Sequence, residues 1–444
     1  IAHNGEINTI RAAQAAAISN FIENNSEPFI IEGQRVDSQI MAEIVARALY
    51  VEGMDLTSAL LKYIAPAYEN NPKLSAEIKA MLAYNGLAVD SMEGPAHIVA
   101  CDGRKVSITQ DKNGLRPSRY FVTDGGIVVI ASEIEKSVVL DGAIVQGHKI
   151  TKKGRLGAGQ RMDIDLETGR IRYNKEILEE EAAKRDYVSL LAAKQVKIKE
   201  PAKLAEAAAA VQAEESLTVK QRLAATGVHE EAFKTYLLEV ARKGVTTIAS
   251  LGADYAAPFM SEIHFPLSDS IKRDFAEVTN PALDPLREKA SMSTTTIAGG
   301  RGEKTKQAVT KSPVLRPGQL EEISAASNPP GTRFRIDTTF DVTGIDVETE
   351  EGKQEAGRRV KEQLDSIVQQ VMAAIDQGAG FIELFDYVSD ARTPISPQYV
   401  AGYVLNALET AGKRNAATLA LDSVAISTSH HIATCAALGI NHFY

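Results

Sequence analysis

The chain has 444 residues, enough for two or three domains, and its 44% hydrophobic and 24% charged content is that of an ordinary globular protein. A formal charge of −9 without any basic stripe excludes nucleic acid as a main partner, and no apolar run approaches the roughly 20 residues that span a bilayer, which sets the membrane aside. Two cysteines, Cys101 and Cys435, stand far apart with no Cys-x-x-Cys spacing, which points to a reducing, cytoplasmic setting and to no metal or iron–sulfur centre held by this chain.

In chain order, residues 38–50 and 56–64 carry helical apolar spacing, with Asp37 and Asp55 placed to cap them. Two hairpins follow: 97–101 and 106–108 around Asp102-Gly103, then 119–122 and 127–130 around Asp124-Gly125-Gly126. Antiparallel strands beside amphipathic helices predict layered α and β elements up to about residue 175. Residues 176–215, rich in Glu, Lys and Ala, read as a helical linker. The stretch 293–333, with its TTT, GGRG and NPPG, reads as a long loop, the Gly-rich part included. The last hundred residues alternate: helix 360–377, strand 380–385, helix 397–412, strand 416–421, helix 428–438 and a closing strand. That rhythm predicts a parallel sheet.

Few residues carry chemistry. Asn4-Gly5 at a strand end can offer a side-chain amide and a backbone N–H to a developing oxyanion, though the same dipeptide is the commonest hairpin turn. Asp37 can cap a helix or hold a substrate ammonium. Asp111-Lys112-Asn113-Gly114-Leu115-Arg116-Pro117 reads by itself as a charged turn. Cys101 falls mid-strand and reads as a core residue. His430-His431 are adjacent on a helix, pointing apart, and read as structural rather than metal-ligating.

Order and spacing add a resemblance. His3-Asn4-Gly5-Glu6, Asp37-Ser38, Glu93-Gly94-Pro95-Ala96, Asp111 through Tyr120 and Ala131-Ser132-Glu133 resemble the second half of a class II (N-terminal-nucleophile) glutamine amidotransferase domain. Lys153-Gly154-Arg155-Leu156, then Gly159 and Met162, are similar to the large subunit of glutamate synthase. Phe275-Ala276-Glu277-Val278-Thr279-Asn280-Pro281, Asp284-Pro285 and Arg287-Glu288 resemble a signature of that enzyme's central domain, and Ser312-Pro313-Val314-Leu315, His430-His431, Leu438-Gly439 and Tyr444 fit its later parts.

The resemblance implies an α/β and α+β chain: a layered αββα amidotransferase portion over 1–175, the linker, and a βα-repeat central domain with a parallel sheet over 216–444. It implies that Asn4 and Gly5 form the oxyanion hole for the glutamine side chain and that Asp37 binds the glutamine α-ammonium, although Val36 stands where the family usually has serine. Thr279 and Asn280 would line an ammonia route. The family's nucleophile is an N-terminal cysteine using its own α-amino group as base, and an arginine holds the substrate α-carboxylate. Both precede the Asn-Gly pair in the family pattern, and a sequence that opens at Ile1 reads as cut from a longer polypeptide, inactive by itself. The implied whole makes glutamate from glutamine and 2-oxoglutarate. Its FMN and iron–sulfur cluster lie in other domains of the same polypeptide, with ferredoxin or a small electron-donor subunit as partner. Two other readings stay open: a non-catalytic scaffold, and another class II amidotransferase such as a phosphoribosyl-amine or amino-sugar synthase.

Overall fold

The computed structural model describes the chain except residues 24–35, 135–146, 201–217, 226–227, 229, 246–266, 272–282 and 302–305. It divides into two units, Ile1–Lys194 with Val278–Ser293, and Gln195–Glu277 with Thr294–Tyr444.

In the first unit β1 (Ala2–Gly5) lies antiparallel to β2 (Ala96–Cys101), which the Asp102-Gly103 turn folds back onto β3 (Lys105–Gln110). Asp102 Oδ1 closes that turn by accepting from the N–H groups of Arg104 and Lys105 at 2.9 and 2.8 Å. The second hairpin gives β4 (Arg119–Thr123) and β5 (Val128–Ala131), and β6 (Ile150–Arg155) completes a three-stranded sheet ordered β5-β4-β6. Then β7 (Arg161–Asp165) and β8 (Ile171–Tyr173) extend the first sheet to β1-β2-β3-β7-β8.

Strand alternation gives this five-stranded sheet two apolar faces. Ala96, Ile98 and Ala100 face the helices α1 (Ile10–Glu23), α2 (Asp37–Tyr50) and α3 (Leu56–Tyr63), meeting Ile10, Ile40, Ile44 and Leu60. Val99, Val106, Ile108, Met162 and Ile164 face the second sheet and meet Tyr120, Val122, Val128 and Ile130. The far face of that sheet carries its own cluster, Phe121, Val129, Ala131 and Ile134. The order is thus helices, sheet, sheet, as layered α and β elements require.

Asp55 caps α3 as expected, accepting from Thr57 N and Ser58 N at 3.0 and 3.3 Å. Asp37 does not cap α2. Val36 occupies the N-cap position with no side-chain bond, and Asp37 is the first helical residue, its carboxylate turned to another backbone group. Cys101 is exposed rather than in the core, because it is the last residue of β2, where the hairpin turns; its Sγ accepts from Gly103 N at 3.3 Å. Within the expected linker, Asn174–Ala183 and Tyr187–Lys194 are helical. They pack within the first unit through Leu178 and Ala182 against Leu61, Ile78, Met81 and Leu82. So few apolar residues per turn leave no visible period in the sequence.

The described part of the stretch expected as one long loop holds strands and a helix. It holds β10 (Thr296–Ala298) and β11 (Gln307–Thr310), which form a three-stranded sheet with the distant β9 (Gln195–Lys197), and the helix Gln319–Ser327. Polar Gln307 and Thr310 point inward there at 1% and 2% exposure, so no apolar alternation marks the strands.

Past this stretch β12 (Phe334–Asp337), β13 (Thr339–Asp341), β14 (Phe381–Phe385), β15 (Arg392–Pro394), β16 (Thr418–Asp422) and β17 (Ile440–Phe443) follow. The main sheet is all parallel in the order β12-β14-β16-β17, and β13 pairs with β15 beside it. Successive strands always advance the same way. Right-handed crossovers therefore put the helices Glu350–Asp376, Pro397–Thr410 and Ser429–Ala437 on one face, against Ile382, Leu384, Leu419 and Leu421. The other face, through Phe381 and Ala420, packs on the small sheet and the helix Gln319–Ser327. The long helix begins ten residues before the expected 360, because Thr349 caps it at Gly352 N (3.0 Å) and pairs such as Arg359–Glu355 (2.7 Å) and Lys361–Asp365 (2.6 Å) support its charged first turns.

At the carboxyl end of β14, Asp386 is 3% exposed and accepts a hydrogen bond from Ser423 Oγ. Burial, with Asp422 nearby, pushes its carboxyl up from 3.8 to about 7. Between those values the folded state holds a proton that the unfolded state has released, so this group makes stability fall as pH rises through the window. Asp386→Asn should therefore gain stability over the parent progressively from about pH 4 to about pH 7 and hold the gain above it. Denaturant midpoints of both proteins across that range check this; an offset that does not change with pH would refute it.

Candidate functional site

The site is built around the end of β1. Gly5 has φ +129°, and a Cβ there would stand 1.8 Å from Pro95 O; one on Gly94 would stand 2.1 Å from Glu6 O. Two facing glycines let the two backbones pass at a distance no side chain permits. The crossing is sewn by Glu6 N to Pro95 O (3.1 Å), Thr9 N to Glu93 O (3.3 Å) and Glu93 N to Thr9 Oγ1 (2.8 Å). Because Glu6 N donates to Pro95 O, Gly5 and Ala96 form a non-hydrogen-bonded pair of the ladder, so the Gly5 N–H is not spent on β2.

Asn4 is opposite His97, and His97 is opposite Gln110, a polar row on the face between the two sheets. Two residues along, Val99 and Ile108 begin the apolar part of that layer. Asn4 is exposed, and its Nδ2 donates to Ser132 Oγ at 2.6 Å, bridging to the residue that follows β5. His97 is buried, and burial lowers its pKa, favouring the neutral ring; among the described residues its Nε2 and Gln110 Oε1 have no hydrogen-bond partner. Asp37 comes to the same end of the unit: its Oδ2 accepts from Ile7 N at 2.9 Å, two residues past Gly5. The structure thus brings Asn4, Gly5 and Asp37 to one short piece of backbone. Thr279 and Asn280 lie outside the described residues.

Ser132, His97 and Gln110 are the site neighbours that sequence reasoning did not single out individually. Strand register and the stacking of two sheets bring them to Asn4, and no spacing in the chain shows either.

Several motifs have local explanations. Asp111, 5% exposed, accepts from Asn113 N and Gly114 N (both 2.9 Å), and its own N–H donates to Ala96 O (3.0 Å), so it ties its loop to β2. Burial raises its carboxyl pKa against those bonds. Lys112 pairs with Glu93 at 2.7 Å, offsetting the rise that burial imposes on Glu93. Asp284-Pro285 starts a helix, Pro285–Ser291: the aspartate accepts from Leu286 N and Arg287 N at 3.0 and 2.9 Å, and proline takes the first position, where no N–H is needed. Asn70 holds the far end of this helix through Lys289 O at 3.0 Å. His430 Nε2 meets Ser268 O at 2.7 Å and His431 Nδ1 meets Ala425 O at 3.1 Å. Gly300 is close-packed, since a Cβ would stand 2.2 Å from Ala416 O. Among the described residues no group of three or more His, Cys, Asp or Glu is placed to hold a metal ion, and no helix is long and apolar enough to cross a membrane.

The glycine crossing gives a prediction. Gly5→Ala should cost about 3 kcal/mol or more by forcing β1 from β2. Gly86→Ala, inside the helix Ala76–Ala88 with only Tyr68 Oη near at 3.9 Å, should gain about 0.5–1 kcal/mol. Chemical denaturation followed on the first unit decides; a neutral Gly5→Ala would overturn the account of the crossing.

Known proteins agree with this architecture. The family model for class-II glutamine amidotransferases matches residues 1–190, and that for the glutamate synthase central domain matches residues 221–444. Ferredoxin-dependent glutamate synthase 1 of Arabidopsis thaliana is 31% identical over 73% of this chain and 20% of its own length. The rice ferredoxin-dependent enzyme (Oryza sativa subsp. japonica) is 28% identical over 98% of this chain and 27% of its own, and the NADPH glutamate synthase large chain of Bacillus subtilis 26% over 99% and 28%. The chain spans between a fifth and a little over a quarter of the length of these relatives. Its two matched regions, in that order and covering nearly all of it, mean that the chain belongs to the glutamate synthase family.

Proposed function

We propose that the first unit takes part in glutamine hydrolysis within a longer glutamate synthase polypeptide, which channels the ammonia to 2-oxoglutarate to form glutamate. The observation that carries this reading is that the Asn4 side-chain amide and a Gly5 N–H not spent on β2 lie side by side at the end of β1. Hydrolysis of a side-chain amide begins with a nucleophile adding to its carbonyl carbon, and the displaced π electrons make the oxygen an oxyanion. Two fixed N–H donors at that oxygen stabilise the charge more than they stabilise the neutral carbonyl, so they lower the barrier. Collapse of the adduct expels ammonia once its nitrogen is protonated, and water then releases glutamate from the acyl-enzyme.

The nucleophile in this reading is the family's cysteine ahead of Asn4. Neither cysteine of this chain takes that role. Cys101 sits at the far end of β2, and burial in the second unit pushes the Cys435 thiol up to about 12. Asp37, with one carboxylate oxygen held by Ile7 N, has its other oxygen for the glutamine α-ammonium. Thr279 and Asn280 line the ammonia route. The FMN and the iron–sulfur cluster belong to other segments of the polypeptide, and ferredoxin or a small electron-donor subunit supplies the electrons.

Ammonia release from glutamine tests the proposal, measured on this chain alone, on the chain joined to the family's preceding segment, and on an Asn4→Ala form of the latter. The expected result is no release, release, and a loss of about 10²–10³ in kcat. Release by the bare chain would mean that another nucleophile operates here and would overturn the assignment.

A further inference from the structure

We propose that Ser132 is a positioning residue of this site, ordering the Asn4 amide so that one of its two N–H groups is directed at the substrate oxyanion. The inference rests on the reading of Asn4 as an oxyanion donor. Among the described residues Asn4 is on a terminal strand, and it is exposed, so little packing restrains its side chain. A donor that must be ordered during the reaction loses much of its benefit, since electrostatic stabilisation depends on dipoles already in place. Among the described residues, the side-chain bond that holds it is Nδ2 to Ser132 Oγ, at 2.6 Å.

The anchor is well chosen for rigidity. Ser132 follows β5, whose last residue Ala131 pairs with Arg119 and joins the cluster containing the fully buried Phe121. Ser132 is itself half-buried. The hydroxyl is therefore delivered by the three-stranded sheet to a side chain on the five-stranded sheet, across 128 positions of sequence. Spending one N–H on Ser132 fixes the amide plane and leaves the other N–H for the oxyanion. Ser132 touches no substrate in this arrangement; it acts through Asn4.

A double-mutant cycle in the hydrolytically active polypeptide tests this, with Ser132→Ala, Ser132→Thr, Asn4→Ala and the double variant, each checked for an unchanged melting temperature. Ser132→Ala should lower kcat for glutamine hydrolysis about tenfold while leaving KM within about twofold, as one lost hydrogen bond to a positioned donor would. Ser132→Thr, which keeps the hydroxyl, should recover most of the rate. In the Asn4→Ala background Ser132→Ala should cost nothing further, because the group it positions is gone. An equal loss in both backgrounds, a threonine variant as slow as the alanine one, or an unchanged kcat in Ser132→Ala beside a crippled Asn4→Ala would each overturn the positioning role and leave the oxyanion reading standing. Full activity in Asn4→Ala would instead remove the oxyanion reading, and this inference with it.

Discussion

Everything at the candidate site depends on how closely β1 approaches the Glu93-Gly94-Pro95 segment. Gly5 and Gly94 each face a carbonyl at a distance that excludes a Cβ, so the crossing exists only while both are glycine. The crossing sets the register of β1 on β2, and the register places Asn4 opposite His97 on the inter-sheet face. That position brings the Asn4 amide within reach of Ser132, and continuation of the chain brings Ile7 N to Asp37. A slip of one residue would turn Asn4 toward the helices and undo all of these contacts at once.

A second constraint concerns buried charge. Asp163 is 1% exposed in the first unit and accepts from Thr57 Oγ1 and Arg172 Nη2 at 2.7 and 2.8 Å, and from Ser107 as well. In the second unit Glu383, also 1% exposed, takes Arg333 on one oxygen and Arg335 on the other. Each carboxylate is costly to bury and is tolerated because its lone pairs are filled. Both join elements far apart in sequence, Asp163 linking α3 to β3 and β8, and Glu383 linking β14 to β12. They specify register in the way the two glycines do, through a penalty on every other arrangement.

What the sequence disclosed follows from the range of each signal. The two Asp-Gly and Asp-Gly-Gly hairpins, the Asp55 cap and the closing alternation of helix and strand are local, and the structure has them. The strands at 296–298 and 307–310 were not legible, because they are short, polar toward the interior, and paired with 195–197. Asp37 shows the limit at the site itself. An aspartate before a helix fits a cap by spacing alone, and only the position of Ile7, 30 residues earlier, shows what its carboxylate holds. Asn4, Gly5 and Asp37 could be picked out through the order of motifs, but Ser132 as the partner of Asn4 could not, since the contact exists only once two sheets stack.

The use of a terminal strand has a physical logic. An interior strand spends all its N–H groups on its two neighbours, so it has none to give a substrate. Among the described residues β1 is a terminal strand, which spends only every second N–H on its neighbour, and the glycine next to Asn4 is at one of the unspent positions. Such an edge is a hazard, because unpaired backbone invites other strands. In β1 Asn4 is held by Ser132, and the backbone crossing at Glu6 and Pro95 ends the strand. In the proposed reading, function and risk come from the same open backbone group, and the glycine crossing keeps that group in place.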